Sequence, residues 1–207
     1  MNTLDLAKLH KTYFKAKLTP TVVNIAPAHF LSISGKGDPS SDEFANDIQA
    51  LYSTAYGIKF HYKEDGKDFK VPSLEGLWSY DEKKYGDVTM DDAPTKIPRS
   101  DWDYTLLIMM PDFVNEKIVE RIKETVVTKK KITRASEVVL KKMNEGKVVQ
   151  ILHVGPFNEE PVTLKKLNEF MTAGKMLRNG LHHEIYLSDF RKTAPGKLKT
   201  ILREPVK

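Results

Sequence analysis

The sequence predicts a single α+β domain assembled from two diverged strand-helix-strand-strand units, with a ligand cleft between the copies, and three observations carry that expectation. First, 207 residues with 40% hydrophobic and 29% charged side chains suit an ordinary buried core. Second, a strand-like run ending in glycine precedes an amphipathic helix twice, at 29–55 and again at 147–171. Third, setting Asp81 against Asp189 aligns Gly76-Leu77-Trp78-Ser79-Tyr80 with Glu184-Ile185-Tyr186-Leu187-Ser188. One such unit leaves a sheet face bare. Two units side by side can cover one face with their helices and leave the opposite face concave.

Residues 1–21 form a Lys-rich lead-in, with a short helix expected over Leu4–Tyr13, outside the domain proper at 22–207. Repeat 1 spans about 27–113. In it His29–Ser34 alternates like a strand and ends at Gly35, Gly37 and Pro39. Ser40, three residues before Glu43, reads as a capping box for a helix whose core stripe is Phe44, Ile48, Leu51 and Ala55 and which Gly57 ends. Leu74–Tyr80 reads as a strand, and Asp81–Arg99, with Gly86, Pro94 and Pro98, as a long surface loop. Asp103–Met109, apolar on both faces over much of its length, reads as a central strand.

Two helices are expected in the connection at about 114–146, one over Asn115–Thr128 and a shorter one over Arg134–Met143. Repeat 2 covers about 147–206. It opens with a strand over Lys147–His153 that ends at Gly155-Pro156. Pro161 lies in the first turn of a helix carrying Leu164, Leu167, Phe170 and Met171. His183–Asp189 and Thr200–Glu204 supply its last two strands.

Several function classes are excluded or disfavoured. With no cysteine, the chain has no disulfide, thiolate metal site or cysteine nucleophile. The apolar run Leu106–Met110 is far short of the ~20 residues of a membrane helix. The first twenty residues lack a secretory signal, so a cytoplasmic location is expected, with no membrane partner. The net charge is +5, yet the lysines between Lys123 and Lys142 alternate with Glu124 and Glu137, and no aromatic stands among them to stack on a base. That stretch reads as a solvated helical face, and no specific nucleic-acid partner is expected.

Strand alternation sets Ile185 and Leu187 apart from Glu184, Tyr186 and Ser188. The two aliphatic residues are expected to face the helices, leaving Glu184 and Tyr186 on the open face. The repeat alignment adds Gly76, Trp78 and Tyr80 to that face; either Tyr104 or Asp103 joins it from the neighbouring strand, with Trp102 at the rim. A carboxylate among aromatics suits a flat, apolar, cationic ligand. The ordinary alternative is a solvated edge charge among strand aromatics. His182 and His183 point to opposite faces and make a poor chelating pair; no metal and no cofactor are expected. Gly35-Lys36-Gly37 lacks the remainder of a dinucleotide loop or P-loop, and no G-x-S-x-G elbow occurs.

The run HHEIYLSD at 182–189, with RKTAPGKLKTILREPV after it, resembles the C-terminal signature of GyrI-like (gyrase-inhibitor-like) small-molecule-binding proteins. HVGPFNEEPVTLKKLNEF at 153–170, LEGLWSYD at 74–81 and DYTLLIMMPDFV at 103–114 resemble its stand-alone, cyclopropanoid-hydrolase-type members. The resemblance implies a duplicated fold with a central cleft, a family glutamate at Glu184, and aromatic partners at Tyr186, Trp78 and Tyr104. It departs from the family at Ser79, where a second aromatic often follows the tryptophan. Two roles follow from it. In one, Glu184 is the general base that activates water for opening a strained cyclopropanoid ring, Tyr186 donates a hydrogen bond to the developing charge, and Trp78, Tyr80, Trp102 and Tyr104 hold the substrate. In the other, the same cleft is a non-catalytic binder, sensor or sequestering site, with Glu184 as counter-charge.

Overall fold

The computed structural model describes residues 3–86, 88–89 and 91–207. Met1 and Asn2 of the expected lead-in, and Asp87 and Met90 of the expected surface loop, lie outside the described residues. After two one-turn helices, α1 (Leu6–Leu9) and α2 (Lys11–Phe14), comes strand β1 (Thr21–Ile25). The first repeat is β2 (Ala28–Lys36), α3 (Asp42–Glu64), β3 (Glu75–Ser79) and β4 (Asp103–Met110), with helical turns α4 (Glu82–Tyr85) and α5 (Ala93–Lys96) between β3 and β4. Helix α6 (Glu116–Lys130) and strand β5 (Val139–Met143) lead to the second repeat: β6 (Gly146–Val154), α7 (Glu160–Ala173), β7 (His182–Tyr186) and β8 (Lys199–Pro205).

The strands pair antiparallel in one sheet ordered β1-β6-β8-β7-β3-β4-β2-β5. The order displays the duplication, because β3-β4-β2 of one repeat mirrors β7-β8-β6 of the other and the two meet at β3 and β7. In that seam Gly76 pairs with Glu184. These are the residues that the sequence repeat makes equivalent, so the local two-fold axis passes between them. The edge strands are exchanged: β1 precedes the first repeat but pairs with β6, and β5 precedes the second but pairs with β2. Both edges of the sheet are thus short strands, which limits edge-to-edge pairing with other chains.

Three local expectations are corrected. The segment expected as a helix over Arg134–Met143 is a 3₁₀ turn at Thr133–Glu137 followed by β5, because pairing with the open side of β2 overrides a short helical periodicity. Helix α3 continues seven residues past Gly57. A Cβ at Gly57 would lie 2.6 Å from Ile122 Cγ2, so this glycine permits the close crossing of α6 rather than ending the helix. The cap of α3 is Ser41, whose side chain accepts from the Phe44 N–H at 3.2 Å, one residue beyond the expected Ser40.

Both repeat helices lie on one face of the sheet. Phe44, Leu51, Ala55 and Ile58 of α3 pack over Leu31, Ile33, Leu106 and Ile108, while Leu164, Leu167 and Met171 of α7 pack over Val149, Ile151 and Leu202. Leu6, Tyr13 and Phe14 of the lead-in cover the other face at Leu77, Leu107, Met109, Ile185 and Ile201. The expected orientation is therefore reversed: Ile185 faces the lead-in, and Tyr186 and Glu184 face the helices. Alternation separates two sets of side chains correctly but does not say which set meets which layer. Here the lead-in supplies a second apolar layer.

Behind the sheet a buried polar network holds the lead-in down. Arg203 binds Glu145 Oε2 at 2.8 Å, the Tyr13 carbonyl at 2.7 Å and Gln150 Oε1 at 2.9 Å. His183 bridges Glu145 at 2.8 Å and Glu75 at 3.0 Å, and the Tyr13 hydroxyl donates to Glu75. Burial works against the Glu145 charge, but His183 and Arg203 hold its pKa down at about 2. Buried charges persist only when paired in this way.

Candidate functional site

On the helix side of the β3–β7 seam, β7 presents His182, Glu184 and Tyr186, and β3 presents Trp78. Gly76 makes room between them. A Cβ there would sit 2.9 Å from Trp78 Nε1 and 3.1 Å from the Tyr186 hydroxyl. Across that space Trp78 Nε1–H donates to the Tyr186 oxygen at 3.1 Å, and Tyr186 O–H donates to Glu184 Oε2 at 2.6 Å. The indole has only a donor and the carboxylate only acceptors, so the relay has one direction. It orients Glu184.

The other oxygen of Glu184 faces His182 Nε2 at 3.4 Å, an ion-pair contact without the alignment of a hydrogen bond. His182 Nδ1–H donates to Glu204, a fully buried carboxylate that Arg178 Nε also binds at 3.1 Å. Burial opposes the charged imidazolium, but Glu204 and Glu184 outweigh it and raise its pKa from 6.5 to about 10. His182 and His183 lie on opposite faces, as alternation requires, and serve separate networks.

A second carboxylate comes from the first turn of α7. Glu160 is only 7% exposed, and burial together with the charge of Glu184 pushes its pKa well above the ordinary carboxylate range. Its Oε1 is buried with no hydrogen-bond partner among the described residues. Burial and its neighbour thus favour the neutral acid at Glu160, close to the Glu184 carboxylate that Tyr186 orients. Burial and Glu184 likewise push the Tyr186 phenol well up, keeping its proton in place at neutral pH.

Aromatic rings enclose these groups. Trp78 stacks on Phe44 at 5.9 Å and meets Trp102 edge-on at 6.3 Å; Trp102 in turn meets Tyr80 at 5.6 Å. Phe157 and Phe190 cover Tyr186 with ring centroids at 5.9 and 6.3 Å. Of the residues singled out in the sequence, Glu184, Tyr186 and Trp78 are brought into direct hydrogen-bonded contact. Tyr104, not Asp103, shares their face and lies 5.9 Å from Trp78, centroid to centroid. Its hydroxyl is committed to Asp47 at 2.9 Å, itself ion-paired to Arg134, and its ring lies over Gly35. Tyr80 and Trp102 extend the aromatic wall toward the rim, with the Tyr80 hydroxyl on the Val88 carbonyl at 2.9 Å. The sequence reading did not single out Glu160, Phe157, Phe190 or the site role of His182. Beside Tyr186 is a cavity of about 20 Å³, bounded by Ile48, Tyr52, Leu74 and Phe190.

Residues 18–207 match the GyrI-like small molecule binding domain. The chain belongs to the GyrI-like family. Among solved structures, a hydrolase from Listeria innocua is 37% identical, with full coverage of both chains and a TM-score of 0.86. An uncharacterized conserved protein from Listeria innocua is 38% identical over 99% of this chain and 100% of its own, with a TM-score of 0.88. The EcmrR C-terminal domain shares the fold at 10% identity, with a TM-score of 0.59 over 91% of this chain and 97% of that one. No curated protein sequence matches the chain. The GyrI-like domain is a small-molecule-binding domain, and its duplicated units meet at the seam that carries Glu184. Among the described residues no helix is long and apolar enough to cross a membrane.

Proposed function

We propose that this GyrI-like protein hydrolyses strained, cyclopropanoid rings in flat lipophilic molecules, with Glu184 as general base and Glu160 as general acid. The observation that carries this reading is the pair itself: two neighbouring carboxylates, one oriented by Tyr186 and His182, the other pushed toward its neutral form by burial and with an unpartnered oxygen. An acid held neutral by burial can give a proton while a neighbouring oriented carboxylate takes one, which is what acid–base catalysis needs. Full-length similarity to proteins described as hydrolases supports the same direction.

In the reaction, Glu184 takes a proton from water as the water oxygen bonds to a ring carbon. The strained carbon–carbon bond breaks, and its electron pair moves into an adjoining conjugated carbonyl, whose oxygen takes the proton of Glu160. The product is the substrate plus one water. Tyr186 acts by aiming the carboxylate, since its hydroxyl already donates its hydrogen bond to Glu184. Trp78 and its aromatic neighbours supply an apolar wall behind the acid–base pair, on which the reacting end of the substrate rests. A counter-charge role fits the site less well, because His182 and Arg178 already balance Glu184 and Glu204.

The test is to incubate protein with excess of a conjugated ketone bearing a fused cyclopropane and to follow gain of water by mass spectrometry. Catalytic conversion of the excess is expected, and Glu184→Gln and Glu160→Gln should each slow it by ~10²–10⁴-fold. Stoichiometric binding without product, or both variants at the parent rate, would overturn the reading.

A further inference from the structure

The cavity beside Tyr186 holds about 20 Å³, roughly one water molecule, and is too small for a drug-sized ligand. It adjoins a much larger feature. Ile48, Tyr52, Asp189 and Arg191 line both this cavity and a surface groove of about 670 Å³ along α3. That volume falls within the ~300–1,000 Å³ typical of small-molecule sites. The rings of Tyr52 and Tyr56, one helical turn apart, lie 6.3 Å apart at 28° and form a flat aromatic wall; Tyr56 is 43% exposed. Beside Tyr52, Arg191 and Lys192 both pair with Asp189, at 3.0 and 3.8 Å, so two cations meet one carboxylate there.

We infer that this groove is the outer arm of the binding site, taking the body of a flat aromatic molecule with an anionic or carbonyl-bearing edge, whose reactive end points past the shared lining of Ile48 and Tyr52 toward Tyr186 and the Glu184 bonded to it. The reach to Glu184 rests on the hydrolytic reading above; binding in the groove does not. Stacking on Tyr52 and Tyr56 holds the plane of the molecule, and Arg191 and Lys192 recognise its acceptor edge. A substrate seated there carries most of its apolar area outside the small inner cavity.

The chain has no cysteine, so one introduced thiol reports on the groove without background. Ser53→Cys places it in the groove, and Lys166→Cys places a control on the exposed side of α7. Anilinonaphthalene sulfonate, flat and anionic, is the probe. At a tenfold excess over its dissociation constant it should slow maleimide alkylation of Ser53→Cys about tenfold and leave Lys166→Cys unchanged. Gln49→Trp, which fills the groove, should abolish the protection. Equal alkylation rates with and without probe, or protection that survives Gln49→Trp, would overturn the assignment. The cyclopropane-bearing ketone should protect Ser53→Cys as well. Protection without turnover would retire the hydrolytic reading and keep the groove; turnover without protection would do the reverse.

Discussion

Replacing His182 by Asn should flatten the alkaline limb of the protein's stability curve. Asn keeps a donor near Glu204 but cannot carry charge. In the parent, Glu204 and Glu184 flank the ring and, against the cost of burial, hold the imidazolium to about pH 10 against an ordinary 6.5. The folded state therefore binds this proton more tightly than the unfolded chain. Its stabilisation is complete below pH 6.5 and is lost as pH rises through about 10. Over that interval of roughly 3.5 pH units, at about 1.4 kcal/mol per unit, the linkage reaches about 5 kcal/mol. This is large beside the roughly 5–15 kcal/mol stability of a typical domain. The assay is urea unfolding of parent and variant from pH 6 to pH 10, with the difference between them plotted against pH. His183 also has a raised pKa and slopes the same way, but it is present in both proteins and cancels. The difference should fall by up to about 5 kcal/mol across the range. Parallel curves would refute the charged His182 and the account of what orients Glu184.

Other substitutions probe the packing that frames the site. Leu51 and Leu167, fully buried on the sheet-facing sides of α3 and α7, should each cost ~2–5 kcal/mol on change to Ala; losses below about 1 kcal/mol at both would contradict the assigned helix faces. Trp78→Phe keeps the ring but removes the donor to Tyr186, and should cost about 1 kcal/mol by urea unfolding, whereas Trp78→Ala should cost ~3–5 kcal/mol. Equal losses in the two Trp78 variants would mean that the indole N–H, and not the ring's bulk, is the whole of its contribution.

The association of Glu184, Tyr186 and Trp78 is legible in the sequence because it depends on two local regularities, a period of two along each strand and the likeness of 76–80 to 184–188. Neither regularity specifies the layer above. Which face meets the helices depended on Leu6, Tyr13 and Phe14, whose short amphipathic stretch has no partner until the sheet exists. Glu160 was hidden for a different reason. An acidic residue in the first turn of a helix ordinarily complements the helix dipole at the surface, and only the lie of α7 over β6 and β8 buries this one. The identity of β5 was equally non-local, since Val139–Met143 becomes a strand by pairing with β2, more than a hundred residues away. Glycine misled once and informed once: Gly57 imitated a helix stop, while Gly76 stood at the position where the repeat required a gap.

The two-fold relation between the repeats explains why the site lies where it does and why the repeats had to diverge there. A residue on the axis faces its own equivalent, so an exact repeat would put two glutamates or two glycines together at 76 and 184. Two adjacent carboxylates in one buried place repel, and two glycines leave neither charge nor orientation. One glycine and one glutamate resolve the conflict, the glycine giving up the space that the hydrogen-bonded side chains of Trp78 and Tyr186 occupy. The next equivalent pair, Trp78 and Tyr186, diverged in the same sense. Two tryptophans would offer two donors and no acceptor, and two tyrosines could point their protons either way. A tryptophan donating to a tyrosine that donates to a carboxylate has a single arrangement. Duplication supplies the seam, and the departures from symmetry at two successive inward-facing positions give it a direction.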